Sequence, residues 1–509
     1  MLTYDVGQRG TLSLYEYIYR RIRDDVESGV LAPHERLPSK RALAEHLGVS
    51  VITIEGAYAQ LLAEGYVRSE RRRGHYVNEL PDRAIGEARS ADGVRAVSEV
   101  RGARGVMGQD GQLCVLDQVA GQDGVRALGG PVVGEGQPGG ELVADFTQAA
   151  AAGDDGAFRL WSRAVRATLA QESEKSLFAQ LPPKGSRRLR EAIAAHLRGL
   201  RGMAVDPSRI VVGAGAEYLY SLIVQILGRE RGYAIEDPGY PRLVSIYEAN
   251  GARVRRVRLD GRGMDVAELG RSGAGVAHVM PSHQFPTGIV TSAARRHELL
   301  GWAAGNGGFI IEDDYDCEFR LAGRPVPSLQ SIDALGAVLY LNTFSKSLSP
   351  ALRVAYLVLP GALAERFDRE FGFYSNTVAT PTQLTLARIL ETGAYERHIS
   401  RIKTRHRAVR DGLLAALRSR DTAGRMRVEN EDAGLHFVLA AMTHRSEREI
   451  AALALRRGVR LAPLSECGGH AEPAASRRDK GVARFVMQYG GLDVGRAPEV
   501  ADVLVRAIG

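Results

Sequence analysis

The sequence predicts an α/β protein in two parts, a small three-helix unit closed by a β-hairpin and a large domain on a mostly parallel sheet. Three features predict it. Apolar residues recur at helical spacing between Leu14 and Leu62. Residues 79–140 then hold 14 glycines in 62 positions, no lysine and few aromatics. From Leu142 onward, short apolar runs alternate with helical patterns, as strands covered on both faces by helices require.

In the first unit Leu14, Ile18 and Ile22 form one stripe, and Gly29 stands where that helix should stop. Ser39, after Pro38, is the expected N-cap of a second helix, with Leu43 and Leu47 turned inward and Gly48 ending it. Its capping box is incomplete, since Ala42 stands three residues on. Ser50 caps a third helix whose Ile54, Tyr58, Leu61 and Leu62 share a face up to Gly65. Two helices joined through Gly48-Val49-Ser50 make a helix-turn-helix. Tyr66-Val67-Arg68 and His75-Tyr76-Val77, separated by arginines and Gly74, read as a two-stranded wing. This unit is expected over 11–78, a flexible linker over 79–140 and the large domain over 141–509, with a small α+β subdomain from about 375. Strands are expected at 209–212, 231–235, 277–280, 308–311 and 337–341, then at 435–438 and 484–487.

At 509 residues the chain exceeds one compact core, and 45% hydrophobic with 25% charged residues is the balance of a globular protein. No run approaches the roughly 18 apolar residues of a membrane span, and MLTYDVGQRG lacks the apolar segment of a secretory signal, so a cytoplasmic protein without a membrane partner is expected. The three cysteines are far apart and the twelve histidines show no paired ligand spacing, so neither disulfides nor a metal are expected. A net charge of +7 and a pI near 9.3 suit a polyanionic partner, yet residues 1–78 carry 11 Lys/Arg against 10 Asp/Glu. The local clusters carry that expectation: Lys40-Arg41 at a helix start, and Arg71-Arg72-Arg73 in the wing, suited to double-stranded DNA.

The strongest chemical constellation is Glu312-Asp313-Asp314-Tyr315 after a buried strand, followed by Thr343-Phe344-Ser345-Lys346 and then Arg353. A lysine amine at a strand end among hydroxyls can form a Schiff base with an aldehyde cofactor. Asp313 would then keep a pyridine nitrogen protonated, and Tyr315 would hydrogen-bond the phenolic oxygen. Arg353 offers a planar fork for a phosphate, helped by Thr343 and Ser345. Gly213-Ala214-Gly215-Ala216-Glu217 opens a helix after a strand, so the N–H groups of Gly215, Ala216 and Glu217 would add to that phosphate site. The run lacks the third glycine of a dinucleotide fingerprint and the lysine of a P-loop.

As a set these residues resemble the fold-type I pyridoxal phosphate enzymes, and Leu37-Pro38-Ser39-Lys40-Arg41-Ala42-Leu43-Ala44 with Gly48-Val49-Ser50 resembles the GntR winged-helix family. Joined in this order they resemble the MocR (GabR-like) regulators over about residues 11–78 and 142–509. Glu236-Asp237-Pro238-Gly239-Tyr240, Pro281-Ser282-His283-Gln284-Phe285-Pro286-Thr287-Gly288 and Ala433-Gly434-Leu435-His436-Phe437 are further motifs of that group. The resemblance implies pyridoxal 5′-phosphate as cofactor, Lys346 as its covalent anchor, Tyr240 stacked on its ring, and Arg242 near the carboxylate of a bound amino compound. It also implies Arg41, Ser50 and Thr53 as DNA contacts, and a head-to-tail homodimer.

Three departures bear on catalysis. Phe285 stands where aminotransferases carry an asparagine, Gln180 where they lend a tyrosine across the dimer, and Val486 where the carboxylate-gripping arginine of the R-x-x-F strand stands. Arg484, two residues earlier, shares the face of Val486 and is the candidate substitute. Arg242 fits an ion pair as well as a ligand anchor, and His283 and His436 read as structural. The expectation is a transcriptional regulator that binds operator DNA and senses pyridoxal phosphate or an amino compound. The alternative is a working aminotransferase with an accessory DNA-binding domain.

Overall fold

Ser39 and Ser50 begin the two central helices of the N-terminal unit by accepting the backbone N–H of Ala42 and Thr53, and Gly48 ends the first with φ 63°. That φ lies where a Cβ is costly, so glycine makes the turn tight. Helices α1 (Leu14–Glu27), α2 (Lys40–Leu47) and α3 (Val51–Ala63) enclose fully buried Ile18, Ile22, Leu43, Ile54, Tyr58 and Leu61. Strands β1 (Val67–Glu70) and β2 (Gly74–Val77) pair antiparallel, Val67 opposite Val77, as the wing. The computed structural model describes residues 2, 4, 13–70, 74–79, 142–148, 156–321, 326–432, 434–468 and 481–509. Arg71, Arg72, Arg73, Cys114, Ala433 and, apart from Glu79, the linker expected over 79–140 lie outside them.

The large sheet has eight strands in the spatial order Ile210–Gly213, Ala355–Val358, Val338–Thr343, Phe309–Asp313, Val276–Val279, Tyr233–Asp237, Val254–Asp260, Gly263–Met264. The five consecutive strands from Val338–Thr343 to Val254–Asp260 are mutually parallel, and Ala355–Val358 runs against both neighbours. Apolar cores lie on both faces, one around Ile210, Val212 and Tyr356, the other around Val211, Leu339 and Leu357. The alternation of these side chains along each strand is the period-two geometry that the continuous apolar runs encode. Each strand expected in this sheet forms, shifted by up to two residues, whereas Val254–Asp260, Gly263–Met264 and Ala355–Val358 were not foreseen.

The small subdomain carries a second sheet, Met426–Glu429, His436–Met442, Val482–Gln488 and Ala462–Pro463, backed by helices Ala394–Arg420, Glu447–Leu455 and Ala497–Ile508. Residues 144–146 join this core, since Ala144 pairs with Val459 in parallel and Phe146 packs within it. Helix Thr380–Glu391 instead packs through Leu386, Ala387 and Ile389 on the large domain. The division between the two falls inside helix Ala394–Arg420, whose Ile399 and Ile402 belong to one core and whose Leu413 and Leu417 belong to the other.

The winged helix rests on the large domain of its own chain. The Ala293 N–H donates to the Glu64 carbonyl at 2.7 Å, and the Ala293 side chain belongs to the winged-helix core. The Glu64 carboxyl is buried there, accepting from Tyr19 and Gln60, and burial raises it to about 7 against the pull of those bonds and of Arg320 and Arg23. An acid raised by folding stabilises the fold below its unfolded value and loses that contribution as pH climbs to the folded one. Thermal unfolding should therefore reveal a loss on the order of 3 kcal/mol as pH rises from 4.5 to 7, absent in Glu64→Gln. Identical pH profiles for the two proteins would contradict this. Among the described residues no helix is long and apolar enough to cross a membrane, and no His, Cys, Asp and Glu group could hold a metal.

Candidate functional site

On the N-terminal unit the structure brings Lys40, Arg41, Ser50 and Thr53 to one end of α2 and α3. Lys40 donates to Glu55 at 2.7 Å, tying the two helices, and Arg41 is exposed. Ser50 and Thr53 are partly engaged with each other, their hydroxyls 2.8 Å apart, as the cap of α3. Beside them, on the first turn of α3, Ile52 is 79% exposed and Val51 42%. Exposed aliphatic side chains at that place suit contact with a thymine methyl group. The sequence signal for Ile52 was its place on the first turn of the second helix of the helix-turn-helix.

In the large domain, Gly213, Asp313 and Thr343 all end strands that point the same way, so the cofactor candidates gather at the carboxyl edge of the sheet. Open parallel sheets bind ligands at this edge because loops there leave the sheet toward a common crevice. Lys346 is solvent-exposed although protein crowds it on nearly all sides, which describes a side chain at the floor of a cleft. Its amine forms no hydrogen bond or ion pair among the described residues. Burial lowers its pKa, opposed by the Asp316 and then the Asp313 carboxylate.

Asp313 is almost completely buried. Its Oδ2 accepts from the Tyr220 hydroxyl at 2.5 Å and lies 3.4 Å from His278 Nε2, while Oδ1 has no hydrogen-bond partner among the described residues. A buried carboxylate oxygen left open beside a cleft fits the protonated nitrogen of a pyridine ring. Tyr315 directs its hydroxyl to the His283 carbonyl at 3.2 Å. Tyr240 meets Phe285 edge to face, their ring centres 6.1 Å apart.

The residues offered to a phosphate meet at the start of helix Ala216–Leu227. Gly215, with φ 89°, begins helix Ala216–Leu227 without a side-chain cap, so the first N–H groups of that helix remain open to an anion. A Cβ on Gly215 would lie 2.8 Å from the Arg353 guanidinium, so a larger residue would displace that side chain as well as strain the backbone. Arg353, itself at φ 49°, reaches Glu217 at 3.1 Å, and Arg242 reaches the other oxygen of Glu217 at 3.0 Å. Thr343 and Ser345 are bonded to each other, hydroxyl to hydroxyl at 2.9 Å.

Other predicted residues take different company. Arg484 lies on the face of the small sheet that carries His436, Val438 and Val486, opposite Ala440, and sits 3.6 Å from Glu429. Four residues along a strand, about 13 Å, separate it from the His436 end. Gln180 donates to Ser375 at 3.2 Å. Glu312 caps helix Leu329–Ile332 by accepting the N–H groups of Leu329 and Gln330, and Asp314 pairs with Arg201 at 2.8 Å. Cys317 is buried with its thiol raised far above the usual range, and burial pushes Cys467 up to about 12.

Residues 14–77 match the family of bacterial regulatory proteins, gntR family, and residues 145–472 match aminotransferase class I and II, a family that uses pyridoxal 5′-phosphate. Over 487 residues the chain is 32% identical to the uncharacterized HTH-type transcriptional regulator YhdI of Bacillus subtilis, covering 96% of this chain and 94% of the relative. It is 30% identical over 485 residues to the probable rhizopine catabolism regulatory protein MocR of Rhizobium meliloti, covering 94% and 90%. The HTH-type pyridoxine biosynthesis transcriptional regulator PdxR of Corynebacterium glutamicum is 29% identical over 460 residues, covering 90% and 89%. The multiple substrate aminotransferase of Thermococcus profundus shares the fold with a TM-score of 0.62 at 21% identity, over 72% of this chain and 91% of that one. The chain belongs to the MocR-type HTH transcriptional regulators, in which a GntR-family winged helix is joined to an aminotransferase class I and II domain.

Proposed function

We propose that this regulator holds pyridoxal 5′-phosphate on Lys346 and that the loaded domain, sensing the cofactor itself or a small amino compound, changes how the winged helix engages DNA. The observation that carries the reading is the buried Asp313 with one oxygen open, at the same sheet edge as Tyr315, Lys346 and Arg353. Bound there, the cofactor supplies an aldehyde that condenses with amines and a ring that draws electrons from them. Asp313, oriented by Tyr220 and His278, holds a proton on the ring nitrogen, and Tyr315 bonds the ring oxygen. Tyr240 covers the ring. Arg353, Thr343, Ser345 and the N–H groups of Gly215, Ala216 and Glu217 grip the phosphate, with Glu217 yielding its hold on Arg353. Arg242 meets the carboxylate of an amino compound. Arg484 serves the same end only by leaving Glu429. One relative's name, a regulator of pyridoxine biosynthesis, favours the vitamer as the signal.

The working form is a head-to-tail homodimer in the cytoplasm. Phe178 and Phe373 are exposed near one another, their segments joined by the bond from Gln180 to Ser375, and Phe158 is also exposed. Such apolar side chains are what a partner would cover. Addition of pyridoxal 5′-phosphate to the purified protein, followed by amines, tests the reading through visible absorption and DNA affinity together. No colour at saturating cofactor overturns it. Multiple turnover with amino and 2-oxo acids would instead support a working aminotransferase, the rival reading that the intact cofactor set favours.

DNA contacts are assigned to Lys40, Arg41, Ser50, Thr53 and the wing arginines Arg71, Arg72 and Arg73. The double variant Arg71→Ala/Arg73→Ala is expected to weaken binding on all sequences and to reduce the salt slope by about 2, while Thr53→Ala changes sequence preference more than overall affinity. Equal binding by wild type and double variant across a salt series would remove the wing from the contact surface.

A further inference from the structure

Beside the cofactor candidates lies a buried pair with no part in the scheme above. His283 Nδ1 and Asp316 Oδ1 are 3.0 Å apart, and each side chain is 1% exposed. Among the described residues, His283 Nε2 and Asp316 Oδ2 are buried without a hydrogen-bond partner. The backbone of the small subdomain presses on the pair: a Cβ on Gly434 would fall 2.9 Å from His283 Nδ1 and 3.0 Å from Asp316 Oδ2. Asp316 and Lys346 follow the ends of adjacent parallel strands, where Leu341 lies opposite Asp313, and the Asp316 and Asp313 carboxylates both oppose the lowering of the Lys346 amine by burial. The groups facing the pair are Asp313, Asp314, Tyr315 and Glu318 on its own segment, then Lys346, His436 and Tyr489 from other elements. His436 stays neutral, lowered to about 3 by burial and by its neighbours, so it accepts no proton near pH 7.

We propose that Asp316 and His283 form the proton-exchanging pair for Lys346, taking a proton from its ammonium and returning it to the oxygen that leaves when the amine condenses with an aldehyde. An ammonium has no lone pair with which to attack a carbonyl, so one proton must leave before the carbon–nitrogen bond forms. In an enclosed site a carboxylate-backed imidazole is the group suited to take it, because Asp316 stabilises the imidazolium that results. The proton held by the pair and one hydrogen from nitrogen then depart with the carbonyl oxygen as water. Nitrogen keeps its third hydrogen and the positive charge, and the pair ends as it began. The same exchange serves an incoming amine that displaces Lys346. Sequence alone gives this pair no prominence, since its members are 33 residues apart.

The inference rests on the cofactor-binding reading, and its test separates the two. Capture of pyridoxal 5′-phosphate by the full chain is followed by stopped-flow absorption from pH 6 to 9, with borohydride trapping and mass analysis as the covalent readout. Binding of pyridoxine 5′-phosphate, which has no aldehyde, is measured by calorimetry as a control. Asp316→Asn and His283→Gln are each expected to lower the maximal capture rate by about tenfold or more, leaving affinity for pyridoxine 5′-phosphate within about twofold. If Asp316 acts only as a nearby charge, its removal slides the profile to lower pH and leaves the maximum intact, which overturns the proposal. Parallel loss of capture and of pyridoxine 5′-phosphate affinity in both variants overturns it too, as a purely structural role. A wild-type chain that binds pyridoxine 5′-phosphate but is never trapped overturns the covalent reading and the role of the pair with it.

Discussion

Lys346→Ala is expected to abolish covalent capture of pyridoxal 5′-phosphate and, with it, the response of DNA binding to the cofactor. Lys346 is the amine at the floor of the cleft, with Asp313 and Asp316 as the acidic groups acting on it. Alanine leaves the Asp313, Tyr315 and Arg353 contacts in place, so residual noncovalent binding is expected without borohydride-stable attachment. Coupling between two sites commonly changes affinity by about 5- to 150-fold, and an effector shifts an equilibrium only through contacts that differ between the two states. Losing the covalent bond removes the largest such difference. Operator affinity of wild type and variant, measured with and without cofactor, decides the matter. A variant whose operator affinity still responds fully to the cofactor would end the sensing role of Lys346.

Arg201→Leu is expected to cost about 3–5 kcal/mol of stability and to weaken the cofactor site as well. The Arg201 guanidinium is buried against Asp314 at 2.8 Å and also donates to Ser282 Oγ at 3.0 Å and the Val326 carbonyl at 3.1 Å. Removing it strands the Asp314 carboxylate in a dry interior, with Glu312 two residues away adding a like charge. Asp314 immediately follows Asp313, so any shift of this segment moves the carboxylate proposed to meet the cofactor ring nitrogen. Restoring neutrality with Arg201→Leu/Asp314→Asn should recover part of the loss, because the stranded charge and not the missing pair carries most of the penalty. Chemical denaturation of the single and double variants reads this directly. A single variant within about 1 kcal/mol of wild type would mean that Asp314 finds water or another cation.

Elements set by neighbouring residues were legible in the sequence. Ser39, Gly48 and Ser50 mark helix ends through bonds that span three or four positions, and all three act as expected. The apolar runs at 209–212 and 337–341 became fully buried strands, the first at one edge of the large sheet and the second inside it, because nothing but burial on both faces suits them. Strand Val254–Asp260 escaped notice because Arg255, Arg256 and Arg258 break its apolar character near the edge of the sheet, where water is available. The Asp313, Tyr315, Lys346 and Arg353 set was visible because each type carries a charge or donor that little else at a strand end explains.

The sequence by itself determined the two-part architecture, the helix ends of the DNA reader and the residues offered to a cofactor, since propensity, capping and periodicity act over a few positions. Only the tertiary structure decided which groups tune them. Tyr220 reaches Asp313 across 93 positions, Glu217 bridges Arg242 and Arg353, Arg484 turns to Glu429, and Asp316 meets His283 beside Lys346. Those partnerships follow from strand order and from the closure of the small subdomain over the sheet edge. Distance along the chain carries no information about them, because side chains far apart in sequence become neighbours only when whole elements pack.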